Sequence, residues 1–165
     1  MKLSRLMRHL AASFWSRHRF FKAETLRMIE TEISAAEKSH GGEIRFVVER
    51  HLTLGQLWHN LSPRQRAVQL FSLLGVWDTA ANNGVLVYVL LADRSVEFLA
   101  DRGISAKVPA EEWGGLCRQV EHRFGAGDYT EGARVAIRGV AQHLAAHFPS
   151  GAPHSHELPN QAVLL

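Results

Sequence analysis

The sequence holds one cysteine, Cys117, so no disulfide can form within the chain. That suits a reducing, cytoplasmic setting, and the residue reads as a small apolar helix position rather than a nucleophile. Long apolar runs are missing too. In the N-terminal segment the longest uncharged stretch, Leu10 to Ser16, is far too short to span a bilayer. It is also a poor signal-peptide core. Acidic residues are absent from positions 1–22, which carry Lys2, Arg5, Arg8, Arg17, Arg19 and Lys22. The whole chain is +3, so the remainder carries −3 and the high pI belongs to the N-terminal arm alone. A mildly acidic body argues against a nucleic-acid-binding face, and no nucleic-acid partner is expected. P-loop spacing, GxSxG, GxGxxG and CxxC do not occur. His143 and His147 stand four apart on a helix, but Leu144 occupies the place where a zinc protease needs Glu. No nucleophile–base pair can be assembled.

What is present is an ordinary globular composition over 165 residues, enough for one domain with a real core. Residues 1–21 form a basic amphipathic arm, with Leu3, Leu6, Met7, Leu10 and Phe14 at helical spacing. Two readings of residues 1–20 stand: peripheral contact with an anionic membrane, or a helix packing on the domain or a partner with its charges merely solvated. Residues 22–148 form the body. A helix from 22 to 39 stops at His40-Gly41-Gly42, and a strand over Glu43–Arg50 follows. Leu54, Leu57, Trp58 and Leu61 suggest a short helix. Ser62-Pro63 opens the next one. Helices are also expected from Pro109 to about Phe124 and from Asp128, with Glu131 completing a capping box, to Phe148. The tail, 149–165, is polar and Pro-rich at first and is expected to be disordered.

The most legible stretch lies between Asp78 and Gly103. Asn82-Asn83-Gly84 is a turn signal. Val85–Leu91 is apolar enough to be buried on both faces. After Ala92–Ser95, the run Ser95–Ala100 returns as the partner strand of an antiparallel hairpin. Asp78 and Asp101 then fall at one end of the hairpin, with Asn82 and Asn83, and Asp93 at the other. The whole predicts a small mixed sheet with helices on both faces, a three-layer α/β/α sandwich. Ligands bind such sheets in the loops at strand ends. The oxygen side chains there suit calcium or magnesium rather than zinc, unless Asn-Asn-Gly and Asp-Arg-Gly are simply turn chemistry.

Four blocks carry a resemblance: Gly41-Gly42-Glu43-Ile44-Arg45-Phe46-Val47, then Asn83-Gly84-Val85-Leu86-Val87-Tyr88-Val89, then Asp101-Arg102-Gly103-Ile104, and last Phe124 with Gly127-Asp128-Tyr129-Thr130-Glu131-Gly132. In order and spacing, from Gly41 to Phe148, the chain resembles the TPM domain family. The resemblance implies the same α/β/α sandwich. It also implies a diverse range of roles: thylakoid-lumen proteins of photosystem II repair with weak acid phosphatase activity, a receptor accessory subunit, and members that bind calcium in acidic loops. Many members carry a signal peptide and a membrane helix, neither of which is read here. By resemblance, Asp78, Asn83, Asp101 and Asp128 are the expected metal positions.

Two functions follow as expectations. One is a non-catalytic interaction module for an unknown protein partner, tuned by calcium or magnesium and membrane-proximal through its arm. The other is a metal-dependent acid phosphatase in which Arg94 or Arg102 clamps the phosphate.

Overall fold

The computed structural model describes residues 3–13, 20–150 and 157–165. Phe14, placed by spacing on the arm helix, lies outside them. The elements in chain order are α1 (Leu3–Ser13), α2 (Ala23–Ala36), β1 (Ile44–Glu49), α3 (Leu54–Trp58), α4 (Pro63–Leu73), β2 (Val85–Leu90), β3 (Ser95–Ala100), α5 (Arg102–Ser105), α6 (Ala110–Gly125), α7 (Tyr129–His147) and β4 (Val163–Leu164). The sheet order is β3-β2-β1-β4. β1 runs parallel to β2 and β4, while β2 and β3 form the antiparallel hairpin, with Val85 opposite Ala100 and Leu90 opposite Ser95.

Strand alternation divides the core in two. Ile44, Phe46, Val48, Val85, Val87 and Val89 face one way, into a cluster closed by α2, α6 and α7. Val47, Leu86, Tyr88, Leu90 and Leu99 face the other, under α3 and α4, with Leu6 of α1 against their edge. The two central strands are fully buried, which is why their sequences are almost continuously apolar. This is the expected α/β/α sandwich. The helix starts follow their caps: Thr53 with Gln56 and Ser62 with Gln65 make reciprocal capping boxes, and Pro63 opens α4.

Three local readings change. First, residues 157–165 are not disordered. β4 adds a fourth strand, and Leu158 is buried. Side chains from the start of β1 hold the segment. The Glu43 carboxylate accepts the N–H groups of Glu157 and Leu158, each at 3.2 Å. Arg45 donates to the carbonyls of Pro159 and Gln161. Asn160 donates to Glu37 at 2.8 Å. Second, Asp101-Arg102-Gly103 is the start of a short helix rather than a turn, because Asp101 caps it at the Arg102 N–H, 2.7 Å away.

Third, α1 packs on the domain by its polar edge. Arg5, His9 and Ala12 turn inward, with His9 and Ala12 buried. The apolar positions Leu3, Met7 and Leu10 are exposed. Arg5 and His9 both reach Asp93 in the β2–β3 turn, and that attraction decides which side of the helix faces the protein.

Candidate functional site

The acidic loops meet at the edge where β1 and β2 begin and β3 ends. Gly84 and Gly103 make the meeting possible. The Asp101 N–H donates to the Gly84 carbonyl at 2.9 Å and the Gly103 N–H to the Asn82 carbonyl at 2.9 Å. A methyl on Gly84 would lie 2.1 Å from the Val76 carbonyl oxygen, and one on Gly103 2.5 Å from that of Asn82. Asn82 itself is left-handed, with φ 51°, a conformation Asn tolerates.

Asn83 is buried. Its Nδ2 donates to the Gly41 carbonyl at 2.8 Å, and its N–H to Thr79 Oγ1 at 3.1 Å. Gly41 in turn donates to the Phe148 carbonyl at 2.8 Å, so the negative end of the α7 dipole lies beside Asn83. Asn83 Oδ1 has no hydrogen-bond partner among the described residues. Neither has Asp101 Oδ2, although the other oxygen of that buried carboxylate caps α5. Two orphaned buried oxygens on adjoining strand ends are unusual, because such groups cost free energy unless something satisfies them.

The remaining expected residues divide. Asp78 belongs to the same loop but is exposed, and among the described residues only its N–H is bonded, to the Gly75 carbonyl at 3.0 Å. Arg102 stands at the site, its Nε donating to Asn82 Oδ1 at 2.8 Å. Asp128 does not join them. It caps α7 by accepting from the Glu131 N–H, while the far end of that 19-residue helix touches Gly41. At 1.5 Å rise per residue that puts Asp128 roughly 25 Å from Asn83. Arg94 is also elsewhere, in the turn at the opposite end of β3, roughly 20 Å from Arg102 along the strand. It lines a cavity with Phe20, Phe124 and Tyr129. Of the two alternatives, only Arg102 stands at this edge.

The histidines on α7 form no centre. His143 lies 3.4 Å from Glu112 and against the Trp113 ring. Among the described residues no group of three or more His, Cys, Asp or Glu side chains could hold a metal. Burial pushes the Cys117 thiol up to about 11, with Glu97 and Glu121 adding to the shift, so the group stays protonated and inert.

A TPM domain profile matches residues 17–143. The chain belongs to the TPM domain family. Solved relatives agree. The solution structure of BA42 from Bizionia argentinensis superposes with a TM-score of 0.77 at 28% identity, covering 89% of this chain and 97% of that one. The N-terminal domain of a protein from P. gingivalis superposes with a TM-score of 0.64 at 20% identity, over 81% of this chain and 84% of that one, and shows the fold alone. Among curated proteins none matches. Among the described residues no helix is long and apolar enough to cross a membrane.

The arrangement left at the site is an oxygen-lined TPM edge where the buried Asp101 carboxylate keeps one oxygen unpaired among the described residues. What sequence reasoning missed is that Asp93, the acid set aside, is the most heavily engaged of all. Arg5 and Arg8 from α1 and the ring of His9 surround it at 2.7, 3.3 and 3.1 Å. A basic arm and one isolated acid were the only sequence signals of that contact.

Proposed function

We propose that this TPM domain is an accessory interaction module whose Asn83–Asp101 edge takes a calcium or magnesium ion. The observation that carries the reading is the pair of buried oxygens, Asn83 Oδ1 and Asp101 Oδ2, that no described group satisfies. An amide oxygen and a carboxylate are the hard donors these ions prefer, and Asp78 stands in the same loop to add a second charge. With so few carboxylates the binding is weak, in the range of extracellular calcium modules rather than cytosolic buffers, on the order of 0.1–1 mM. Bound there, the ion ties the 79–83 loop to the start of α5 and fixes the surface a partner meets.

Thermal unfolding tests it. Calcium at a hundredfold excess over Kd stabilises the folded state by about 2.7 kcal/mol. That moves Tm by roughly 5–10 °C in a chain of this size. Asp101→Asn keeps the cap on α5 and removes the charge, so it retains the fold and abolishes the shift. A shift of equal size in Asp101→Asn, or none in the wild type with either ion, discards the site.

One observation favours the phosphatase as a second reading: Arg102 is exposed beside Asn82, where its guanidinium can meet a phosphoryl oxygen. A bound cation would supply Lewis-acid polarisation of the phosphate, and Asn83 and Asp101 would hold it. Hydrolysis of an aryl phosphate that Asp101→Asn and Arg102→Ala both lower distinguishes this reading. Turnover unchanged in those variants removes it.

A further inference from the structure

We propose that the helical layer made of α1, α3 and α4 docks on an anionic lipid bilayer. Apart from Leu165, every large apolar side chain exposed among the described residues lies on this layer or in the turn after α4. Leu3 is 74% exposed on α1, Trp58 77% on α3 and Leu73 75% on α4, with Trp77 half exposed just beyond. The layer that covers the other face of the sheet contributes none.

The exposure on α1 is not an accident of a frayed helix. Arg5, His9 and Ala12 form one stripe, and Leu3, Met7 and Leu10 form another. Residues two apart in an α-helix are separated by about 200°, so the stripes point in opposite directions. An amphipathic helix in a monomer turns its apolar stripe to the core. This one is anchored through its polar stripe, by Arg5 and His9 on Asp93 and by His9 Nδ1 accepting from the Leu52 N–H at 3.0 Å. Leu3, Met7 and Leu10 are held outward.

Charge says what covers them. The sequence holds no Asp or Glu from Met1 to Ala23, nor from His51 to Trp77, so α1, α3 and α4 contain no acid at all. On the opposite layer α2, α6 and α7 carry seven: Glu24, Glu30 and Glu32, Glu111, Glu112 and Glu121, and Glu131. Arg8 and Arg64 are each more than half exposed on this layer, where they pair with Asp93 and Glu97 of the β2–β3 hairpin, and Met1–Ala23 with His51–Trp77 together hold eight Lys and Arg against those two acids and Glu49. A second copy would set this cationic surface against itself, which opposes association. An anionic bilayer matches both properties: apolar side chains enter the acyl boundary, Trp takes the headgroup level, and Arg meets the lipid phosphates. None of the residues involved belongs to the Asn83–Asp101 edge, so this docking stands or falls separately from cation binding.

The test is co-sedimentation of the full chain, in chelator and low salt, with phosphatidylcholine vesicles and with equal mixtures of phosphatidylcholine and phosphatidylglycerol. Partition into the anionic vesicles exceeds that into the neutral ones by about tenfold or more, and salt removes the difference. Trp58→Ser with Leu73→Ser lowers it by on the order of tenfold. Both sites are exposed, so the thermal midpoint is unchanged. Met7→Ser with Leu10→Ser gives the same loss on α1, and Gln119→Ser on the other layer gives none. Equal binding to both lipids, no binding to either, or full binding by both double variants overturns the proposal. So does a wild type that ignores vesicles but self-associates until Trp58→Ser/Leu73→Ser makes it monomeric.

Discussion

His9 Nε2 lies 3.1 Å from Asp93 Oδ1, across 84 positions of sequence, while His9 Nδ1 accepts the Leu52 N–H at 3.0 Å. The two contacts fix the ring: the proton sits on Nε2 and the lone pair on Nδ1. With Arg5 bidentate on the same carboxylate, this is the clasp that fastens α1 to the β2–β3 turn.

Asp93→Asn should open that clasp. Burial alone would push the Asp93 carboxyl up, but hydrogen bonds from His9 and Arg5 and the Arg5 charge outweigh it and hold the group well below the usual carboxylate range. A depressed folded-state pKa gives stability that is complete above the unfolded value, about 4, and is lost as pH falls toward the folded value. The variant should be about 2–3 kcal/mol less stable than wild type at pH 7. The gap should narrow as pH drops below about 4. Urea unfolding at pH 7 and pH 3 measures both, and a gap that widens in acid contradicts the assignment.

The hairpin was legible because its signals are local: Asn82-Asn83-Gly84, an apolar run, then a return strand. The clasp was not, since neither a lone Asp nor a basic arm says which residue meets which across the fold. The amphipathic spacing of α1 was visible, but periodicity alone points the apolar stripe inward. Only the Arg5 and His9 contacts reverse it. Likewise Asp78, Asn83 and Asp101 could be gathered from hairpin geometry, whereas excluding Asp128 requires knowing which end of α7 touches Gly41. The tail was misread for a third reason. Val163 and Leu164 form too short a run to declare a strand, and their place depends on Glu43 and Arg45, whose partners in residues 157–161 no local pattern names.

The glycines of the site should separate sharply from glycines elsewhere. Gly84→Ala drives a methyl onto the Val76 carbonyl, and Gly103→Ala onto those of Asn82 and Ala81, at 2.5 and 2.8 Å. Backbone cannot step aside as a side chain can, so each should cost about 2–3 kcal/mol. Gly103→Ala should also displace the loop that carries Asn83 and weaken any calcium-induced shift in Tm. Gly55→Ala is the contrast. It lies within α3 with nothing within 4 Å of the new methyl, so it should stabilise by roughly 0.5–1 kcal/mol. Thermal unfolding of the three variants orders them.

The C-terminal segment offers a test by sign. Removing residues 157–165 strips Leu158 and the β4 pair from the sheet and leaves β1 as an open edge. Loss of that apolar burial should cost roughly 3–5 kcal/mol, and the uncovered strand should promote aggregation. Arg45 makes the argument specific. Burial lowers its pKa, and the bonds that repay its burial go to the carbonyls of Pro159 and Gln161. In the full chain Arg45→Met removes both bonds and should destabilise by about 1–2 kcal/mol. In the shortened chain those acceptors are gone and the guanidinium is a charge beside an apolar sheet, so the same substitution should be neutral or stabilising. The four proteins form a double-mutant cycle, and a nonzero coupling energy ties Arg45 to the segment it binds. If Arg45→Met costs the same in both backgrounds, Arg45 does not secure the tail, and β4 is held by its apolar side chains alone.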